Sequence, residues 1–352
     1  MIRRLAKTGL RRVQRFRASL GAHGVILIYH RVGEPVADPW NMAVSPENFA
    51  AHLEVMKGYA VPRTMRDFAA NLSNTHAAKR SIAVTFDDGY IDNLTRALPL
   101  LEVHDVPATV FVVSGAIGKP DAFWWDLLTK VFLETPNLPQ VLTLESPDGA
   151  RSFDLSANAA YDHEAMARSA AWRADWTAPQ DGRQRVFLDV WQHTLSLPGN
   201  VQAETARKIA AWAGLADADR RPDGARPMDQ DALDQLAASP LIEIGGHTAT
   251  HPDLSQVAPA TATDEIARGR RNLMDMTGKP VDSFAYPFGR YTAQTADHIR
   301  DAGFSCAGWS RPGLATPKSD PFALPRLQVP NLKVDDFDAL LRDTIGPPLA
   351  RI

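Results

Sequence analysis

The sequence contains one cysteine, Cys306, and no apolar run that approaches the roughly 20 residues needed to span a bilayer as a helix. A single cysteine cannot form a disulfide within the chain, so nothing here requires an oxidising compartment. Internal repeats and low-complexity tracts are also missing from the sequence. Apolar residues make up 45% of the 352 residues and charged residues 22%, which excludes disordered tails, collagen-like repeats and disulfide scaffolds.

Acidic residues are missing from the first 22 positions, which hold seven lysines and arginines. Apolar residues recur among them at roughly helical spacing, so residues 1–22 are predicted to form a basic amphipathic helix. Two interpretations stay open: residues 1–20 contact an anionic membrane surface, or the apolar stripe packs on the rest of the protein. No apolar segment with a small-residue cleavage site follows the charges. We therefore expect a cytoplasmic protein, with a peripheral location on the inner membrane as the alternative.

The remaining residues carry 31 basic and 41 acidic side chains. An acidic balance argues against a nucleic-acid-binding protein, because contacts with phosphates require an excess of lysine and arginine. We therefore expect no nucleic-acid partner.

Short apolar runs alternate with helical patterns in the first third of the chain. The runs are continuous enough to be strands that are buried on both faces. Strands are predicted at 25–29, 81–86 and 108–113, and the helices between them at 46–56 and 94–103. Strand, helix and strand at this spacing predict right-handed parallel crossovers.

The same alternation returns in the last third of the chain. Strands are predicted at 242–244, 283–285, 305–307 and 324–327, and helices at 263–276 and 293–302. Gly278 and Gly303 stand where glycines commonly end helices. Parallel strand–helix units on both sides of a gap predict one α/β sheet or barrel, which we assign to residues 23–352.

A mostly helical segment at about 118–228 interrupts this pattern and holds six of the eight tryptophans. We interpret it as an insertion that covers the mouth of the barrel. Its tryptophans either form the insertion's own core, which is the more frequent role of aromatic residues at helical spacing, or line a binding cleft.

Two short motifs follow predicted strands at their carboxyl ends. The acidic pair Asp87 and Asp88 comes directly after the second strand, and a glycine follows it. His247 and His251 come after the strand at 242–244 and two glycines. Catalytic groups of parallel α/β folds collect at these strand ends, so we expect the four side chains to lie close together.

These residue types suit a metal-dependent reaction. Histidines four residues apart on a helical turn project from one face and can both face one ion. With one carboxylate they form a set that holds Zn²⁺ or another divalent metal and leaves positions open for water and substrate. A second carboxylate beside the ligand is then free to act as a base toward that water. The alternative is a charged loop and a surface histidine pair that arose by chance.

Three segments together resemble the motifs of a known family, the polysaccharide deacetylases of the NodB-homology type (carbohydrate esterase family 4). The first motif resembles Thr85-Phe86-Asp87-Asp88-Gly89, the second His247-Thr248 with His251, and the third Phe284-Ala285-Tyr286-Pro287-Phe288-Gly289. The resemblance spans about residues 24–120 and 228–341. It implies a distorted (β/α)₇ barrel and a hydrolase that removes N-acetyl groups from amino sugars.

The resemblance also implies roles for the residues of the first two motifs. Asp87 would be the general base, and Asp88, His247 and His251 would hold the metal. Zn²⁺ is the expected metal, and Co²⁺, Ni²⁺ or Fe²⁺ fit the same ligands.

The third motif departs from the family's usual pattern. By similarity, the backbone N–H of Phe288 would donate to the oxyanion, and Tyr286 is assigned with it to the substrate site. Family members commonly begin this motif with an arginine that pairs with the catalytic aspartate, whereas this chain has Ala285 there. We expect Arg326, on the late strand, to supply the missing cation beside Asp87.

The late histidine that serves as general acid in the family is also missing, because no histidine follows His298. The early segment Ile28-Tyr29-His30-Arg31-Val32 resembles relatives with a permuted motif order, including poly-N-acetylglucosamine deacetylases. That resemblance implies that His30 is the acid, while a structural histidine at a strand end is the alternative.

We therefore expect a hydrolase of carbon–nitrogen bonds that deacetylates amino sugars in a polysaccharide, an oligosaccharide or a lipid-linked glycan precursor. The first alternative keeps the fold and metal but acts on an N-formyl sugar or a cyclic amide. The second alternative is a catalytically silent glycan-binding protein. The intact acidic pair and histidine pair argue against it, because binding alone needs no base beside a metal.

Overall fold

The computed structural model describes residues 22–74, 80–145, 149–220 and 224–349. The amphipathic helix predicted at residues 1–22 lies outside the described residues, apart from its last position, so its contact with a membrane stays a prediction. Within the described ranges, no helix is both long and apolar enough to cross a bilayer.

Seven parallel strands close into a barrel, which confirms the fold predicted from the sequence. Each strand hydrogen-bonds to its neighbours, and the pairing of the first barrel strand with the second closes the ring. Strands are numbered in chain order. Around the barrel they are β1 (Gly24–Tyr29), β5 (Ser81–Phe86), β6 (Ala108–Val112), β9 (Ile242–Gly246), β10 (Ser283–Ala285), β11 (Cys306–Trp309) and β12 (Leu324–Gln328).

Short strands that the sequence analysis did not predict flank the ring. Strand β4 (Val61–Arg63) pairs with β5 outside the barrel, and β2 (Arg31–Val32) pairs with β3 (Ala43–Val44) just after β1. Every residue of β1 and β5 is buried, as expected for parallel strands that helices cover on the outside.

Helices pack around the barrel between the strands. They are α1 (Pro46–Lys57), α2 (Met65–Ser73), α3 (Leu98–His104), α8 (Gln230–Ala238), α9 (Pro259–Thr277), α10 (Ala293–Asp301) and α11 (Val334–Ile345). Helix α9 begins four residues before the predicted position, because Pro259 occupies its first turn, where a missing N–H is tolerated. It ends as predicted at Gly278, which has the left-handed φ of 64° that a glycine adopts readily.

The tryptophan-rich segment has a hydrophobic core of its own. Trp124, Trp125, Trp172 and Phe187 are buried together in it, whereas Trp176 is 67% exposed. Its elements are α4 (Trp124–Glu134), β7 (Val141–Leu144), β8 (Arg151–Asp154), α5 (His163–Ala171), α6 (Gly182–Leu195) and α7 (Gly199–Trp212). The antiparallel β7–β8 hairpin was not predicted, because four-residue strands give too short an alternation to stand out from helical neighbours.

Strand register brings the predicted site residues to one end of the barrel. Tyr29 pairs with Phe86, and Val112 pairs with Gly246, so the chain leaves these strands at the same level. The residues that follow them, including His30, therefore face one another across the barrel mouth.

His52 is a buried titratable group on α1, one of the helices that surround the barrel. Its Nδ1 lies 3.2 Å from the hydroxyl oxygen of Tyr29, and its Nε2 lies 2.7 Å from the carbonyl oxygen of Leu332. Burial lowers the pKa of His52 to about 4, although the bond to Leu332 raises it. The ring is therefore neutral at pH 7, donating from Nε2 and accepting at Nδ1.

This burial predicts a pH dependence of stability. In the unfolded chain the pKa of His52 returns to 6.5, so the unfolded state binds more protons between pH 6.5 and pH 4. The contribution of His52 is complete above pH 6.5 and is lost progressively down to pH 4, by about 3 kcal/mol. Urea unfolding of the wild type and of His52→Gln at pH 7, 5.5 and 4.5 measures this loss of stability. The variant should lose less stability on acidification, and parallel curves would show that His52 contributes nothing.

Candidate active site

Four non-glycine residues with left-handed backbone conformations lie at the mouth of the barrel. They are Asp88 (φ 74°), Thr248 (φ 64°), His251 (φ 61°) and Phe288 (φ 56°). Residues with a Cβ adopt this conformation at a cost, and such residues often cluster at functional sites. The loops of all three sequence motifs are therefore held in specific, unfavourable conformations by their surroundings.

The three predicted metal ligands meet at one point. Asp88 Oδ1 lies 3.4 Å from Nε2 of His247 and 3.4 Å from Nε2 of His251, and the two Nε2 atoms are 3.2 Å apart. All three residues are buried. Two ligand atoms that each lie about 2.0–2.1 Å from a tetrahedral ion are about 3.3 Å apart. The spacing of these three atoms therefore fits one tetrahedral divalent ion.

The protonation of the two imidazoles also fits a metal. His247 Nδ1 lies 2.8 Å from the carbonyl oxygen of Ala285, so Nδ1 carries the proton and Nε2 keeps its lone pair. Burial lowers the pKa of His251 to about 3, although Asp88 raises it, so this ring is neutral at pH 7. Nε2 of both imidazoles and Oδ1 of Asp88 thus converge on one point, where a divalent cation would satisfy all three.

Asp87 forms a buried ion pair with Arg326. Nη1 of Arg326 donates to Oδ1 of Asp87 at 2.7 Å, and Nη2 donates to Oδ2 at 2.8 Å. A glycine makes room for the guanidinium, since a Cβ at Gly308 would lie 2.6 Å from Cδ of Arg326. The structure thus brings together the acid and the late-strand arginine that the sequence analysis paired in view of Ala285.

This pairing decides the charge of Asp87. Burial by itself would raise the pKa of Asp87, but Arg326, together with His247 and His30, outweighs it and holds the pKa well below its usual range. The carboxylate is therefore ionised at neutral pH. Each of its oxygens accepts one guanidinium hydrogen and retains a further lone pair.

His30 lies next to the acidic pair. It directly follows the end of β1, and the N–H of Asp87 donates to the carbonyl oxygen of Tyr29 at 3.0 Å. The pairing of Tyr29 with Phe86 places His30 and Asp87 at neighbouring positions just beyond the two strands. Nδ1 of His30 is buried and finds no hydrogen-bond partner among the residues that the structure describes.

Of the two residues that were predicted from the third motif, one lies at the site. The ring of Phe288 lies against His251, with centroids 4.6 Å apart, so Phe288 borders the site. Tyr286 does not, and its assignment to the substrate site is corrected to a core role. Its ring is fully buried, its hydroxyl donates to the carbonyl oxygen of Phe322 at 2.8 Å, and its N–H donates to that of Gly308 at 3.2 Å.

Trp125 of the insertion lies against one of the three predicted metal ligands, His251, and no motif of the sequence includes it. Its ring centroid lies 4.8 Å from that of His251 and 6.5 Å from that of Phe288. Its Nε1 donates to the hydroxyl oxygen of Tyr90 at 2.8 Å, and this hydroxyl donates to Asp126 at 2.7 Å. Local sequence gave no signal, because nothing distinguishes Trp125 from the other tryptophans of the insertion.

Two cavities adjoin this site. One, of about 460 Å³, is bordered by His251, Trp124 and Trp125. The other, of about 740 Å³, is lined mostly by polar side chains. The two share four lining residues, which are Gly199, Asn200, Thr250 and Arg268. The insertion and the barrel loops therefore enclose adjoining spaces beside one metal-binding histidine.

Comparison with known proteins gives matches along most of the chain. A family model described as polysaccharide deacetylase matches residues 74–176 and 193–307, which is more than half of the sequence. The chain is 33% identical over 98 residues to YxkH of Bacillus subtilis (strain 168). It is 28% identical over 91 residues to the poly-beta-1,6-N-acetyl-D-glucosamine N-deacetylase of Staphylococcus aureus (strain MSSA476). Each match covers 26% of this chain and spans about a third of the relative's length.

Solved structures resemble the fold over nearly its full extent. IcaB from Ammonifex degensii superposes with a TM-score of 0.53 at 18% identity, and the match covers 91% of this chain and 97% of that one. A polysaccharide deacetylase from Bacillus cereus gives a TM-score of 0.53 at 16% identity, covering 90% of this chain and 68% of that one. At these identities the likeness concerns the fold.

The buried ion pair predicts a specific pattern of stability. Arg326→Met leaves the Asp87 carboxylate buried without a partner and should lower the free energy of unfolding by about 3–5 kcal/mol. The double variant Arg326→Met/Asp87→Asn removes the unpaired charge and should recover part of that loss. Denaturant unfolding of the wild type and these variants measures both effects. A single variant as stable as the wild type, or a double variant less stable than the single one, would contradict the pairing.

Proposed function

Because the chain belongs to the polysaccharide deacetylase family, we propose that it removes N-acetyl groups from amino-sugar units of a glycan with a divalent metal held by Asp88, His247 and His251. The observation that carries this proposal is the convergence of three buried ligand atoms, at separations of 3.2–3.4 Å, beside the arginine-bound carboxylate of Asp87. Zn²⁺ is the metal we propose, because two imidazoles and one carboxylate at tetrahedral spacing suit it.

Such a metal, when bound, supplies Lewis-acid chemistry by polarising the amide carbonyl and lowering the pKa of water. Asp87 is the proposed base. Its carboxylate is ionised and oriented by Arg326, so it can accept a proton from the attacking water while the water oxygen adds to the amide carbon. The backbone N–H of Phe288 is proposed to donate to the oxygen of the tetrahedral intermediate.

His30 is the proposed acid. The carbon–nitrogen bond breaks as its electron pair moves to the sugar nitrogen, which must gain a proton to leave as an amine. His30, which directly follows β1 beside the acidic pair, would supply this proton from its imidazole ring. One water is consumed, and the products are acetate and a sugar with a free amine.

The surroundings of the site support a glycan substrate of more than one sugar unit. Trp124 and Trp125 border the cavity beside His251, and aromatic rings offer an apolar face with a polar edge. That cavity of about 460 Å³ and its neighbour of about 740 Å³ each fall within the usual size of a ligand site, about 300–1,000 Å³. We propose an oligosaccharide, a polysaccharide or a lipid-linked precursor as the substrate.

The proposal predicts that Asp87→Asn separates metal binding from turnover. The variant should retain the metal content of the wild type and lose at least about 100-fold in acetate release, because the base is gone while the ligands remain. Metal analysis and an acetate assay on β-1,6-linked N-acetylglucosamine oligomers measure the two properties. Asp335→Asn, in the other Asp-Asp pair of the sequence, is the matched control and should keep its activity, since Asp335 is exposed on α11.

Two results would contradict this assignment. An Asp87→Asn variant with wild-type turnover would remove Asp87 from its proposed role. Release of formate from N-formyl sugars, without acetate from N-acetyl sugars, would favour the alternative substrate class.

The proposed role of His30 predicts a dependence on the leaving group. His30→Gln should lower kcat for N-acetyl sugars by about 100-fold or more with little change in KM, because an amine must be protonated as it leaves. Hydrolysis of 4-nitrophenyl acetate should lose much less, since nitrophenolate leaves without a proton. Steady-state kinetics on both substrates test this. Equal losses on the amide and the ester would indicate that His30 is not the acid.

A further inference from the structure

The turn that carries both histidines packs against one face of α9. This face presents Glu265, Gly269 and Asn272, which are spaced by four and three residues and therefore lie along one side of the helix. None of the three was singled out by the sequence motifs. Each contacts the turn or the loop that supports it.

Glu265 binds the peptide groups between the two histidines. The residue is 5% exposed, and its Oε2 accepts from the N–H groups of Ala249 at 3.1 Å and Thr250 at 2.7 Å. Its Oε1 accepts from Oγ1 of Thr250 at 3.0 Å and from the guanidinium of Arg268. The buried carboxylate thus has four donors, which offset the cost of removing it from water.

Gly269 allows the backbone of the turn to touch the helix. A Cβ at this position would lie 2.7 Å from the carbonyl carbon of Thr248 and 2.9 Å from its oxygen. Real Cβ atoms do not approach a backbone this closely, so any larger residue must displace the turn.

Hydrogen bonds also fix the opposite side of the turn. The N–H of Ser114 donates to the carbonyl oxygen of Thr248 at 3.2 Å, and the N–H of Gly115 donates to that of Ala249 at 2.8 Å. Asn272 of α9 donates to Oγ of Ser114 at 3.2 Å and so ties this second loop to the same helix. The turn therefore lies between two sets of hydrogen bonds, with Glu265 supplying one of them.

The spacing of the metal ligands depends on this turn. Thr248 and His251 are in left-handed conformations, which the chain would relax if its hydrogen bonds were removed. A metal site tolerates deviations of only about 0.2 Å in its ligand distances. A small relaxation of the turn would therefore change the separation of 3.2 Å between the two Nε2 atoms by enough to weaken metal binding.

We propose that Glu265 is a positioning residue of the metal centre, which fixes the spacing of His247 and His251 through the N–H groups of Ala249 and Thr250. The proposal rests on the proposed function in that the histidine pair must bind a divalent metal. It adds that the affinity for this metal depends on a side chain that touches no ligand atom.

The test is the dissociation constant for Zn²⁺ of the metal-free full-length chain, measured by competition with a chromophoric chelator. Glu265→Ala should weaken binding about 10- to 100-fold, the range for supporting residues of metal sites. Glu265→Gln keeps an oxygen for the two N–H groups and should restore much of the affinity. Gly269→Ala should weaken binding, because it displaces the same turn from the other direction.

Two control variants on α9 separate positioning from general stability. Asp264 is exposed and binds the same Arg268 as Glu265, so Asp264→Ala changes the local charge without touching the turn. Leu273 is fully buried in the barrel core, and Leu273→Ala should lower the melting temperature through a cavity. Both should bind Zn²⁺ within about twofold of the wild type.

The outcomes are distinct. If Glu265→Ala lowers the melting temperature as Leu273→Ala does but binds Zn²⁺ like the wild type, Glu265 has only a structural role and the proposal is wrong. If Glu265→Ala does not fold, Glu265→Gln and Gly269→Ala decide, and wild-type affinity in both overturns the proposal. A wild-type chain that binds no Zn²⁺ would overturn the proposed function and this inference together, whereas equal affinities in all variants would overturn this inference alone.

Discussion

Three buried lone pairs that point at one another are the constraint on which the rest of this molecule depends. Asp88 Oδ1 and the Nε2 atoms of His247 and His251 lie 3.2–3.4 Å apart, and all three residues are buried. Electrostatics disfavours this arrangement unless a positive charge lies between the atoms. The register of the barrel strands brings the two loops together, and the contacts of α9 keep the histidine turn in its unfavourable conformation. Much of the architecture at the barrel mouth thus stabilises the site in which we propose that a cation binds.

The adjacent carboxylates of Asp87 and Asp88 place a second constraint on the same site. Asp87 and Asp88 are adjacent and both buried, so two negative charges must be compensated within a few ångströms. Arg326 neutralises Asp87 from β12, with Gly308 making room for the guanidinium, while Asp88 turns toward the histidines. The two aspartates, although identical and adjacent, therefore have different partners. Asp87 is held by a protein cation and is the proposed base, and Asp88 is a proposed metal ligand.

The apolar runs of the sequence predicted parallel strands in one α/β sheet or barrel, and the family resemblance implied the seven-stranded barrel. The sequence did not separate Tyr286 from Phe288, since membership of one motif does not show which residue turns into the core. The roles of Trp125 and Glu265 could not be predicted from the sequence, for another reason. Glu265 lies 14 positions beyond His251 on an ordinary amphipathic helix, and its role arises only when α9 packs behind the histidine turn. Arg326 was inferred from the family resemblance, because the arginine that relatives carry in the third motif is Ala285 in this chain.

The most direct measurement is anomalous X-ray diffraction at the zinc absorption edge, on crystals of the full-length chain grown with Zn²⁺. The account predicts one strong peak bonded to Oδ1 of Asp88 and to Nε2 of both His247 and His251, with Asp87 still paired to Arg326 and outside bonding distance. Crystals that show the same triad with no peak, or a peak bonded to Asp87 in place of Asp88, would contradict it.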